Sequence, residues 1–330
     1  MYLGIEIGGT KTQVAVGKAD GSAPLAIERM DVDPTLGAVG ILNQIEAAVF
    51  RLLPKYKPTA IGIGFGGPVD CEAGITTKSY QIDGWEQFPL VTWCQKTFDL
   101  PTFIQNDCDA AALGEAYFGA GQGSDSVFYV TVGTGVGGGF VCDGKIFGTN
   151  RPSVAEIGHL RPGLHADRED LTLESIASGW GIAAEARSRI SGDITHSLSL
   201  SHRESELDRK ANEEFVKDLL NRCDQDLDLL TAKSVAQAAA DGNAIAADTL
   251  LHATNALGWG IAQVITLLAP QRIVIGGGVS LIGEPLFFVP IRKSVRQYVF
   301  GPLEHSYEIA PAALGEQVVL HGAMLIAAGK

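Results

Sequence analysis

Three apolar segments of this chain each stop at a cluster of glycines. The opening run Tyr2 to Ile7 ends at Gly8-Gly9-Thr10-Lys11, Val127 to Val132 ends at Gly133-Thr134-Gly135, and Arg272 to Ile275 ends at Gly276-Gly277-Gly278. A short apolar run bounded by turn residues reads as a buried strand. Glycine at its end lets backbone N–H groups approach an anion closely, and a Thr hydroxyl adds a donor. One such turn is an ordinary feature; three at the ends of buried strands are best explained by a nucleotide. The phosphate-binding pattern GxxxxGK[ST] is absent, as is GxGxxG at the first strand–helix junction.

The same pattern organises the chain. Gln13 to Gly17 resumes strand character after the first turn, and Gly137 to Val141 does so after the second, so strand, Gly-Thr turn and strand occur twice. This repeat points to two related halves. Between Thr35 and Leu53 apolar residues recur at helical spacing (Ile41, Ile45, Ala48, Val49, Leu52), and Pro54 and Pro58 are expected to stop that helix. Ala60 to Phe65 reads as a strand opening into Gly66-Gly67-Pro68. Pro101 to Gln105 reads as another, followed by Asn106-Asp107 and a helix over Ala110 to Phe118. Ser234 to Leu268 has long helical periodicity, and Leu320 to Ala328 reads as an Ala-rich packed helix. Strands and helices alternate, which indicates an α/β class. No Pro/Ser linker divides the 330 residues, so two directly packed lobes are expected. The charged stretch at 191–231, with SHRESELDRKANEEF at its centre, reads as a solvated helix or loop excursion or as a partner-binding insertion.

Composition removes several function classes. The net charge is −13, with no Lys/Arg run, so neither nucleic acid nor an anionic membrane is an expected partner. Hydrophobic residues are 46% and charged ones 19%, which excludes a mainly disordered chain. No uncharged apolar stretch approaches the ~18 residues of a membrane span, and the N-terminus shows no signal-peptide pattern. The five cysteines, Cys71, Cys94, Cys108, Cys142 and Cys223, form no CxxC pair. A disulfide framework is therefore not expected, and a reducing, cytoplasmic setting is.

Candidate chemistry sits on a few polar residues. Asn106-Asp107 directly follows a strand; a carboxylate there can take a proton from an attacking hydroxyl, although Asn-Asp is also a common helix cap. Glu156 and His159 stand three residues apart with Gly158 between them, and Glu174 reads as a carboxylate on a helix face.

The ordered segments IEIGGTKT, IGIGFGGPVD, QNDCDAAALGEAYFGAG, VTVGTGVGGGF, EIGH, LESIASG and RIVIGGGVS resemble those of the ROK-family sugar kinases, over roughly Leu3 to Ala328. The resemblance implies an actin-like ATPase (ribonuclease H-like) fold with two lobes around a cleft, a smaller one of residues 1–108 with 317–330 and a larger one of residues 109–316. It implies ATP and Mg²⁺ as cofactors and a small-molecule sugar as substrate, and it leaves a homodimer open. The turns Gly8, Gly9, Thr10, Lys11 and Gly133, Thr134, Gly135 would cradle phosphates, with Gly276, Gly277 and Gly278 near the adenosine. Asp107 would be the catalytic base. Gly67, Asn106, Glu156, His159 and Glu174 would contact the sugar together with Asp107. An ATP-dependent, glucokinase-like hexokinase is the leading reading, with fructose, allose and N-acetylmannosamine as other substrates. A non-catalytic sugar-binding regulator is the alternative. Family repressors usually carry a helix-turn-helix ahead of the first Gly-Thr strand, for which this chain leaves no room.

The sequence also departs from the family pattern. Glu6 replaces the usual first-strand Asp, and Gln81 stands where an Asn usually precedes the Gly-Trp pair, here Gly84-Trp85. Many members carry a CxCGxxGC zinc cluster after EIGH; this chain has LRPGLHADREDLT, and His165 alone cannot make a four-ligand site. The purified protein is accordingly expected to contain no stoichiometric zinc. Elemental analysis checks this, and one zinc per chain would contradict it.

Overall fold

The structure, a computed structural model, describes residues 1–79, 81–149, 151, 154–163, 168–191 and 206–330, with side chains of the last stretch described from residue 212. The first half contains β1 (Tyr2–Ile7), β2 (Lys11–Gly17), β3 (Ala26–Asp31), α1 (Gly37–Tyr56) and β4 (Ile61–Phe65). A two-residue hairpin follows, β5 (Val69–Asp70) and β6 (Ile75–Thr76), then α2 (Leu90–Phe98) and β7 (Thr102–Asn106). Its sheet runs β3-β2-β1-β4-β7. β1, β2 and β3 are antiparallel neighbours, whereas β4 and β7 join parallel to β1.

The second half begins with α3 (Asp107–Phe118), β8 (Ser126–Val132), β9 (Val136–Cys142) and β10 (Lys145–Ile146). After α4 (Leu173–Ala177), α5 (Gly179–Ser191), α6 (Glu206–Asn221), α7 (Ala232–Ala240) and α8 (Ala244–Leu268) come β11 (Arg272–Gly276), α9 (Val289–Tyr298), β12 (Glu308–Pro311) and α10 (Val318–Ala327). The second sheet runs β10-β9-β8-β11-β12, with β8 and β9 antiparallel and β11 and β12 joining parallel. Strand for strand this is the order of the first sheet. The repeat read from the two Gly-Thr turns is thus a repeat of topology.

Two helices join the halves. Every residue of α10 is buried; it lies on β1 and β4 on one side and on α3 on the other. Close approach requires glycine at the contacts: a Cβ at Gly62 would stand 1.8 Å from the Ala323 carbonyl oxygen, and one at Gly322 only 1.7 Å from that of Ala110. α3 in turn packs on β8 and β9, where a Cβ at Gly139 would meet the Cys108 carbonyl at 2.4 Å. The buried Glu115 of α3 accepts hydrogen bonds from the N–H groups of Ala120, Ala313 and Leu314 at 2.7–2.9 Å. That carboxylate ties the end of α3 to the chain entering α10.

Several elements differ from the sequence reading. α1 passes through Pro54 and ends at Tyr56, with Lys57 in the left-handed region. A proline in the last turn forfeits one hydrogen bond there rather than many, so it does not set the helix end. By length and composition α1 could cross a membrane, yet Ile41, Ile45, Ala48 and Val49 are buried in one apolar cluster with β1 and β4. The stretch Ser234–Leu268 is two helices, because Asp241-Gly242-Asn243 breaks it: Gly242 has φ +95° and Asn243 caps α8. Within the charged excursion, residues 192–205 lie outside the described residues. α6 is not wholly solvated, since Leu219 and the following Cys223 are buried in the second half's core. β3, α2, α9 and β12 were not read from the sequence, although Ile291, Val295 and Tyr298 of α9 recur at helical spacing.

Gly322→Ala is expected to destabilise the protein by about 1–3 kcal/mol, the usual cost of overpacking, because two helix backbones must part. Urea denaturation measures this, and an unchanged midpoint would show the crossing to be loose.

Candidate active site

The ends of β1, β4 and β7 meet at Asp107. The Gly8 N–H donates to the Lys11 carbonyl at 3.0 Å, closing the first glycine turn, and the Gly66 N–H donates to the Ile7 carbonyl at 2.8 Å. A Cβ at Gly66 would lie 3.4 Å from Asp107 Oδ2 and 3.5 Å from the Gly8 Cα, so glycine leaves the carboxylate open to the turn. Asn106 is the N-cap of α3: its Oδ1 accepts from the N–H groups of Cys108 and Asp109, and its Nδ2 donates to the Gly67 carbonyl at 3.1 Å. The amide thus fixes where Asp107 starts the helix, and only one of its N–H groups stays free for a ligand. Asp107 Oδ1 accepts from the Cys108 N–H at 2.8 Å. Burial, and then the nearby charge of Glu6, push the Asp107 carboxyl up to about 7. Glu6 is also raised by burial, and Lys11 at 3.5 Å and the Gln13 amide at 2.7 Å act against that rise.

The second half brings its own turn. Gly133 N–H donates to the Gly135 carbonyl and Gly179 N–H to the Gly133 carbonyl, at 2.9 and 2.8 Å; Thr134 is exposed. Glu174, in the first turn of α4, accepts from the Val136 N–H at 2.9 Å, and a Cβ at Gly135 would come within 2.5 Å of its Oε2. One oxygen of Glu174 therefore braces the glycine turn. Glu156 is half-buried and His159 exposed. Burial raises the Glu156 carboxyl, Glu174 adds to the rise, and His159 opposes it. His165 lies outside the described residues.

Asp109 escaped the sequence reading, and Gln81 was read only as a departure from the family pattern. Asp109, two residues beyond Asp107, has a buried Oδ1 with no hydrogen-bond partner, and burial with the charges of Asp107 and Glu156 lifts it to about 8. Its position in the first turn of a helix starting at Asp107 was the available signal, hidden by placing that helix start at Ala110. Gln81 lies on the first glycine turn, where a Cβ at Gly9 would overlap its Oε1 at 1.6 Å. Gly9 is needed for that approach.

Two cavities adjoin these turns. One of about 370 Å³ is lined by Glu6, Lys11, Asp107, Tyr129, Thr131 and the three glycines Gly276–Gly278. Another of about 1000 Å³ has Gly133, Thr134, Trp180, Gln237 and Gly278 in its wall. They share Gly278 and Leu281. The first cavity carries charge and the second is mostly apolar, which matches a phosphate chain joined to a base and sugar. A Cβ at Gly133 or Gly278 would meet no atom within 4 Å, so both backbones face open space. Asn106, Glu156, His159 and Glu174 line neither cavity.

Residues 2–330 match the ROK family, and the chain belongs to that family. It is 31% identical over 338 residues to a glucokinase of Halalkalibacterium halodurans, covering 98% of this chain and 94% of that one. A ROK family glucokinase from Streptomyces griseus, solved in complex with glucose and AMPPNP, superposes with a TM-score of 0.79 at 31% identity, covering 100% of this chain and 99% of that one. A xylose repressor of Caldicellulosiruptor bescii is 25% identical over 288 residues, 86% of this chain and 66% of its own length. The fold is therefore the actin-like ATPase fold.

The raised Asp107 has a consequence for stability. Its folded form holds a proton more tightly than the unfolded chain, so stability is lost as pH rises from the unfolded value near 3.8 through about 7. Asp107→Asn removes that loss. The variant is expected to melt higher than wild type without ligands, with a larger gain at pH 8 than at pH 5. Thermal unfolding at the two pH values checks this, and a constant or reversed difference would contradict it.

Proposed function

We propose that this protein is an ATP-dependent hexose kinase of glucokinase type, with Asp107 as the general base. The observation that carries the reading is the position of Asp107: it lines the smaller cavity, next to Gly66, and is held by the Asn106 cap. A carboxylate with its midpoint near neutrality can take the proton of a sugar hydroxyl as that oxygen attacks the terminal phosphoryl group. Phosphoryl transfer otherwise needs mainly positioning and charge neutralisation. Glu6 supplies a carboxylate to the same cavity and, together with the nucleotide's phosphates, would hold Mg²⁺, which when bound would neutralise phosphate charge and leave Asp107 as the base. Lys11 adds a fixed positive charge on the same wall.

Gly67, Asn106, Glu156, His159 and Glu174 are read as the sugar's surroundings. Residues 1–108 with 317–330 form one lobe in this reading and 109–316 the other, so the sugar site draws on both and rewards closure, which excludes water. Glucose is the favoured substrate, supported by the names of the relatives at about 30% identity; fructose, allose and N-acetylmannosamine are the other candidates. The enzyme is expected to work in the cytoplasm. The xylose repressor relative supports a second reading, a sugar-binding regulator without catalysis.

A coupled ADP-release assay across these sugars separates the readings: release with one hexose supports the kinase, and release with none supports the regulator. Asp107→Asn should cut turnover by about 10²–10⁴-fold while sugar binding, read by calorimetry, survives. Because the base acts ionised, kcat/KM should climb with pH through an apparent midpoint near 7. Near wild-type turnover in the variant would remove Asp107 from the role.

A further inference from the structure

The smaller cavity has a wall that neither the proposed base nor the glycine turns use. Side chains alternate along a strand, so Tyr129 and Thr131 of β8 form one row that leads toward Gly133 in the second turn. Thr131 stands two residues before Gly133, as Glu6 stands two before Gly8 in β1. The matched strands of the two sheets thus bring a hydroxyl and a carboxylate to one cavity.

Tyr129 is only 3% exposed. Its hydroxyl reaches across β11, where a Cβ at Gly276 would come within 2.5 Å of it. Gly276 is the ladder partner of Thr131, so the phenol oxygen lies beside the Thr131 side chain. Across the ladder, the Thr131 methyl lies 3.3 Å from where a Cβ would stand at Gly137, so its carbon branch packs on β9. Burial, with the negative surroundings of Cys108, Glu115 and Asp107, raises the phenol far above its ordinary value, so it stays protonated. A phenylalanine would fill the same space without burying a hydroxyl, which costs free energy unless the hydroxyl is partnered.

We propose that Thr131 and Tyr129 act as a hydroxyl pair serving the transferred phosphoryl group. Thr131 donates its hydrogen to a phosphoryl oxygen, and Tyr129 donates to Thr131 Oγ1 and fixes its direction. No proton changes owner. The assignment rests on the kinase reading of the same site. Charge in phosphoryl transfer spreads over the equatorial oxygens, and donors held in place before the reaction stabilise it without reorganising. The facing Glu6 and Asp107 are acidic, so donors from this wall offset repulsion toward phosphate. Thr131 is then a catalytic residue and Tyr129 a positioning residue acting through it.

The test uses the full-length protein with its best sugar. Thr131→Val should lower kcat by about 10²-fold, the scale for losing one such donor, with KM for sugar and ATP within about threefold of wild type. Thr131→Ser should recover most of the loss. Tyr129→Phe should cost about tenfold alone and nothing further when added to Thr131→Val, because the two act in series. A Thr131→Val enzyme with wild-type kcat, or one altered only in KM, overturns the proposal, as does full additivity of the two changes. Calorimetry with ADP plus aluminium fluoride, against ADP alone, reads the pair without turnover: Thr131→Val should weaken the first and spare the second, and equal effects on both overturn the assignment. If no sugar is phosphorylated and this difference persists, the kinase reading fails while the hydroxyl pair stands.

Discussion

The backbone crossing of α3 and α10 holds the two halves in register. Gly322 allows the helices to touch at Ala110, and Gly62 allows α10 to lie flat on β4. Each helix also covers one sheet, so the stack runs sheet, α10, α3, sheet. Asp107 is the first residue of α3. Sheet register from β1 through β4 to β7 places Asp107 beside the first glycine turn, and the helix crossing sets where the second half's cavity wall stands relative to it. The Glu115 carboxylate strengthens the arrangement by gathering N–H groups from both ends of the join. Buried N–H groups left without that acceptor would each carry a desolvation cost.

A crowd of acids is built on this frame. Glu6, Asp107, Asp109 and Glu156 each titrate above their ordinary range, with burial the first cause in every case. Lys11 and His159 only partly offset them. A protein that must bring a polyphosphate next to carboxylates needs neutral and positive donors around them. In the proposed kinase reading, glycine-turn N–H groups, Lys11 and the β8 hydroxyls would supply these from three directions. The site is thus kept costly to ionise, which gives Asp107 a proton affinity near neutrality where a solvated aspartate would have almost none.

Much of this was legible in the chain. The glycine clusters could be read because apolar runs and turns are local signals, and the repeat of strand, turn and strand anticipated two sheets of one topology. Asn106-Asp107 was visible as a pair, though whether the asparagine capped a helix or met a ligand was not; the structure shows the cap, with Gly67 held as well. The break at Asp241-Gly242-Asn243 carried turn chemistry that was outweighed by strong periodicity on either side. The helix start at Asp107 was read three residues late, which hid Asp109.

Local pattern and motif order by themselves determined the α/β class, the family and the residues that can bear charge near a phosphate. Only the tertiary structure decided that Glu6, Thr131 and Tyr129 share a cavity with Asp107, that Glu174 spends an oxygen on the Val136 N–H, and that Gln81 lies over Gly9. The physical reason is range. Strand and helix periodicity follow from neighbours a few residues apart, whereas pKa shifts and cavity walls also arise from groups distant in the chain, brought together by sheet register and by a helix crossing that no local signal announces.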